Sequence, residues 1–175
     1  MIHYSVAADD DMVREVARRV LEEVAPQELV MFGMNSRAYF RDPAGTLKDA
    51  ADDSQASRGS VLGSGAAEVA ALLTPFALAM VQGALSSFVE AFAGDLAARS
   101  GTAVRTWLGA LFRRSGDTGD PAPDGEEAGP DSALTPEQVE WLRAEAYRTL
   151  REAGQPEEQA RLLSNALAGA ARVRT

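Results

Sequence analysis

An all-α fold is what this chain predicts: a small helical bundle around one long apolar helix, with a helical hairpin after an acidic linker. Three observations carry that expectation. Apolar residues recur at helical period in several separate segments. From Val69 to Val89 the chain runs 21 residues without a formal charge, inside a protein of net charge −9. Finally, no segment requires a strand, so helices packed on helices are the economical architecture.

The first element is the clearest. Met12, Val13, Val16, Ala17, Val20, Leu21 and Val24 form one apolar stripe, and Asp9, Asp10 and Asp11 supply a cap and favourable charge at the positive end of the helix dipole. A helix over roughly 10–25 follows. Pro26 suits the first turn of a second helix, over 26–40, in which Gly33 and Asn35 interrupt an otherwise apolar text. Residues 43–65 are small and polar without sustained period, and read as a flexible loop.

The apolar helix is expected over 66–98, with Pro75 bending it by removing one hydrogen bond. Its large side chains change face along its length. Val69, Leu72, Leu73, Phe76 and Met80 cluster on one side in the first half, whereas Leu78, Val81, Leu85, Phe88, Val89, Phe92 and Leu96 lie nearly opposite in the second. Such a helix is enclosed by protein or by lipid. A break at Ser100 and Gly101 precedes a short amphipathic helix carrying Val104, Trp107, Leu108, Leu111 and Phe112, completing a helical domain over 1–114.

Residues 115–132 hold six acidic residues, no basic ones, four Gly and three Pro, a composition that cannot bury a core and reads as a disordered linker. Residues 133–175 then form a hairpin. Thr135, Pro136 and Gln138 make a capping-box start, Gly154 closes the first helix, Pro156 opens the second, and Ala160, Leu163, Leu167 and Ala170 mark its apolar face. Placed behind such a linker, the hairpin is expected to be dispensable for folding, so a chain ending at residue 116 should stay folded.

Function follows from what is absent and from what flanks the apolar run. The chain has one His, His3, and no Cys, which removes thiolate chemistry and disulfides; no nucleophile elbow, phosphate loop or metal-ligand spacing is present. A non-enzymatic protein without cofactor or metal is expected. A pI near 4.6 disfavours nucleic acid. Sixteen of the 17 basic residues are Arg, with Lys48 the exception, a bias that reads as the codon usage of a GC-rich bacterial genome. The N-terminal text shows no secretory signal, so the expected location is the cytoplasm or the inner face of the plasma membrane.

The nine Leu, Val and Phe residues of 69–89 favour a bilayer by roughly 3 to 5 kcal/mol, offset by Gln82, Pro75, Thr74, Ser86, Ser87 and Gly83. Latent or actual membrane association through this helix, with partner docking through the C-terminal hairpin, is therefore the leading expectation, and a wholly soluble adaptor with the helix permanently buried is the alternative. Arg99, Arg105, Trp107, Arg113 and Arg114 form a basic, aromatic flank suited to an anionic membrane surface. Ala79, Gly83, Ser87 and Ala91 recur every four residues as a ridge on which another helix, including one from a second copy, can approach closely. Trp141 and Tyr147 are the candidate anchors for a protein partner on the hairpin.

Overall fold

A computed structural model describes residues 9–59, 72–92, 101–112 and 133–171. All regular structure among them is helical: α1 (Asp10–Val24), a 3-10 turn (Pro26–Glu28), α2 (Leu29–Arg41), α3 (Pro43–Gly59), α4 (Thr74–Ala91), α5 (Gly101–Leu111), α6 (Pro136–Glu152) and α7 (Glu157–Ala170). The all-α expectation holds.

The first helix forms as its text predicts. Asp9 accepts a hydrogen bond from the Asp11 amide, and Val13, Val16, Ala17, Val20 and Leu21 are buried. Pro26 begins a single 3-10 turn rather than α-helix, after which α2 runs without interruption through Gly33 and Asn35. Neither residue breaks it.

Residues 43–59 are helix, not loop. Asp42 starts this element: its Oδ1 accepts from the Gly45 amide at 3.0 Å and its carbonyl from the Thr46 amide at 3.0 Å, while Pro43 occupies the first turn, where no N–H is needed. The packed stripe consists of Leu47, Ala50, Ala51 and Ser54, spaced i, i+3, i+4 and i+7, and it lies against α2 and α4. A helix that buries mainly Ala and Ser has little hydrophobic contrast, which is why it resembles a loop in the text.

The apolar helix also differs from the expected 66–98. Leu72 and Leu73 precede it without helical structure, α4 begins at Thr74, and Phe92 terminates it. Residues 66–71 and 93–98, Val69 and Leu96 among them, lie outside the described residues. The start is set from a distance. Buried Glu28 accepts hydrogen bonds from the Leu73 amide at 2.8 Å, the Thr74 amide at 2.8 Å and the Thr74 hydroxyl at 2.6 Å. Two of the otherwise orphaned donors at a helix N-terminus are thereby satisfied. Pro75 falls in the first turn, so it supports the helix start instead of bending its middle.

Once begun, α4 is enclosed. Ten of its residues are buried, including Phe76, Leu78, Met80, Val81, Leu85 and Phe88, and its neighbours are α1, α2, α3, α6 and α7. A helix apolar on every side suits that position. The hairpin completes the enclosure: α6 packs along α4, α7 packs on α1, and Leu142, Leu150, Leu163 and Leu167 belong to the same core as Val16 and Phe88. Its capping box is present at Thr135 and Gln138, and Gly154 at φ +80° lets the Gln155 amide return to the Leu150 carbonyl at 3.0 Å, closing α6 in a left-handed cap.

Candidate interaction surfaces

The polar residues of α4 decide whether this helix is held inside or available outside, and Thr74 and Gln82 each meet a partner from another element. Gln82 accepts a hydrogen bond from the Tyr39 hydroxyl of α2 at 2.8 Å. Burial, reinforced by the negative charge of Asp10, raises the pKa of that hydroxyl above the ordinary tyrosine value. Across from Ser87, the carboxyl of Glu145 on α6 is held below the ordinary glutamate range chiefly by Arg148 and further by Ser87. These are the groups that would otherwise face apolar surroundings unsatisfied.

The small-residue ridge is a crossing point within this chain. A Cβ added at Gly83 would stand 3.2 Å from Thr149 Cγ2 and 3.4 Å from its Oγ1. One turn along α4 and one turn back along α6, Ser87 meets Glu145, so the two helices run antiparallel with backbones close at Gly83. Ala79 packs against the core and Ala91 is exposed at the end of the helix.

The same antiparallel register brings the aromatics together. Phe88 lies 4.5 Å from Phe92, 6.1 Å from Trp107 and 5.8 Å from Trp141, ring centre to ring centre, and Phe92 lies 5.6 Å from Trp141. Edge-to-face and tilted contacts of this kind add to the area they bury. Trp107, read as a membrane contact, and Trp141, read as a partner anchor, therefore both pack on the end of α4, and Tyr147 is half-buried against the core. Arg99, Arg113 and Arg114 lie outside the described residues, and Arg105 is described only as backbone within α5. The seam between α4, α5 and α6, lined by Leu85, Phe88, Leu108, Leu111 and Leu142, leaves no room for a water-sized guest.

Among the described residues the largest group of exposed apolar side chains is elsewhere, on α2, with Leu162 of α7 and Leu72 also exposed. Val30 is 87% exposed, Met34 55% and Met31 46%, while Phe32, Ser36 and Tyr39 of the same helix face inward. Gly33 sits among the exposed residues with nothing within 4 Å of where a Cβ would stand, and Arg37, Ala38 and Arg41 continue the outward face. Sequence reasoning missed this surface because Leu29, Val30, Met31 and Phe32 are consecutive and apolar, so the text does not distinguish the inward from the outward pair. The one available signal is that four adjacent apolar residues cannot all face one side of a helix.

Among the described residues no helix is long and apolar enough to cross a membrane, and no three His, Cys, Asp or Glu side chains converge to hold a metal ion. No family model, no curated protein and no solved structure matches this chain.

Proposed function

We propose that this protein is a non-enzymatic helical interaction module, in which α4 is a permanent core helix and the outward face of α2 is the surface offered to a protein partner. One observation carries this reading: α4, the most apolar text in the chain, is buried, with Gln82 and Thr74 hydrogen-bonded to Tyr39 and Glu28, while three large apolar side chains of α2 stand in solvent. Exposed apolar residues scattered singly are ordinary, but three on one helix face mark an interaction surface. Methionine suits such a face because its flexible, polarisable side chain adapts to what it meets.

Latent membrane association would require α4 to leave the bundle, breaking the Gln82–Tyr39 and Glu28–Thr74 hydrogen bonds and the crossing at Gly83. Co-sedimentation with phosphatidylserine-containing vesicles separates the two readings. The full-length protein is expected in the supernatant at low and high salt, and Gln82→Leu is expected to melt at lower temperature without gaining affinity for vesicles. Pelleting that increases in Gln82→Leu would instead place α4 in lipid and overturn the buried-core reading.

A further inference from the structure

The outward stripe of α2 changes character halfway along. Val30, Met34, Arg37 and Arg41 follow one another at i, i+4, i+7 and i+11, so they lie in one line on the helix, and all four are exposed. By the helical rise that line is about 16 Å long. Its first half is apolar, with Met31 beside it and Gly33 leaving the backbone bare, nothing standing within 4 Å of a Cβ position there. Its second half is cationic. On α1 and α6, Arg14, Arg18, Arg19, Arg143 and Arg148 each pair with a carboxylate of their own helix. Helix α2 contains no Asp or Glu. Arg37 donates from Nε to the Gly33 carbonyl at 2.9 Å, and among the described residues neither Arg37 nor Arg41 meets a carboxylate.

We propose that this stripe docks an amphipathic helix of a protein partner, one that carries carboxylates toward one end and apolar residues toward the other; the proposal rests on the reading of α2 as the interaction surface. Complementarity sets direction as well as composition. Carboxylates are favourable near the N-terminus of a helix, and here they must reach Arg37 and Arg41 at the C-terminal end of α2, so the partner helix runs antiparallel to α2. Its apolar side chains then cover Val30, Met31 and Met34 with the i, i+3, i+4 spacing of a docked amphipathic helix, and Gly33 leaves room for one of them. An anionic bilayer offers the same two chemistries, spread over a plane. A chain of net charge −9 is repelled by such a plane, and Asp42, directly after Arg41, is exposed as well. Two carboxylates seated on two guanidiniums are attracted at close range, where that repulsion counts least. Phe32, Ser36 and Tyr39 stay inside, so docking asks for no rearrangement of the core. The stripe is short beside the surface of roughly 800 Å² per partner in a standard stable interface, so binding is reversible rather than obligate.

Fluorescence anisotropy with the full chain and a labelled synthetic peptide tests the proposal. The probe is a helical peptide of about 15 residues, with two glutamates in its first turns and three leucines along the same face of its later turns. Reversible binding is expected, weakened about tenfold when both glutamates become glutamine or are moved to the last turn. Met34→Glu should lose binding with unchanged circular dichroism and melting, because the position is exposed. The double variant Arg37→Glu, Arg41→Glu should reject this peptide and bind one with lysines in place of the glutamates, a recovery that an unfolded variant could not give. No binding by the wild type into the millimolar range, binding indifferent to the glutamates, or a double variant that the lysine peptide fails to rescue would each overturn the acidic helix as occupant. Binding to phosphatidylserine-containing vesicles, or self-association in sedimentation equilibrium, that Met34→Glu abolishes would assign the face to lipid or to a second copy and overturn it as well. Peptide binding that Met34→Glu abolishes but the glutamates do not affect would leave α2 as a protein-docking surface. Peptide, vesicle and sedimentation results all unmoved by Met34→Glu would remove α2 as an interaction surface, so the two failures are distinguishable.

Discussion

Replacing Glu28 by Ala removes the acceptor for three donors at once, two of them amides at the first turn of a buried helix. A lost cap and a buried donor left unsatisfied together cost about 2 to 3 kcal/mol. Glu28→Gln, which keeps the volume and one acceptor oxygen, should cost roughly half as much by this accounting, and urea unfolding of the two variants checks the order. Tyr39 carries a different signature. Its hydroxyl proton is retained in the folded state beyond the ordinary titration range. The stability this contributes is present below the unfolded tyrosine pKa and is lost as pH rises through the higher folded-state value. Tyr39→Phe is expected to cost about 1 kcal/mol at neutral pH through loss of the bond to Gln82. Relative to wild type, its melting temperature should then decline less steeply above a pH of about 10. An alkaline limb identical in both proteins would remove Tyr39 as its source.

At the scale of elements, the crossing of α4 and α6 depends on Gly83 and on a single methyl group of Thr149. Gly83→Ala gains about 0.5 to 1 kcal/mol of helix propensity but brings a Cβ to 3.2 Å from Thr149 Cγ2, so the single variant should be close to neutral. In a Thr149→Ser background that methyl group is gone, and the same substitution should stabilise by most of the propensity gain; thermal melts of the four proteins in the cycle measure the coupling. These elements also show how far the text can be read. The stripe of α1, the capping box of α6 and the Gly154 closure were legible because each is local, its cause and effect lying within a few residues. The extent of α4 was not, because its first turn is capped by a side chain 45 or 46 residues away. Helix α3 escaped for another reason: Ala50 and Ser54 bury well but carry little contrast against the small polar residues around them.

For the whole molecule, the hairpin is the test of unity. The text suggests a tail that a chain ending at residue 116 could lose, with folding intact. The packing argues for the opposite result: without α6 and α7, Phe88 loses Trp141, Gly83 and Ser87 lose their crossing helix, and α1 loses the helix packed against it. The shortened chain is expected to melt without cooperativity in circular dichroism; a sharp transition would show that the first 116 residues suffice. The candidate interaction surface was the least legible part of all. Val30, Met31 and Met34 stand out only once Phe32, Ser36 and Tyr39 are seen to occupy the inside of the same helix.

The Glu28 carboxylate has a consequence for how an event at the surface is felt within. The backbone amide of the same residue closes the turn that leads into α2, donating to the Ala25 carbonyl at 3.0 Å, while the carboxylate receives the first amides of α4, so a displacement of the outer helix is expected to loosen the inner one. The Leu73 and Thr74 amides consequently act as a built-in reporter. In hydrogen exchange they should slow when α2 is clamped by a partner, and in Glu28→Ala they should exchange quickly whether or not anything is bound.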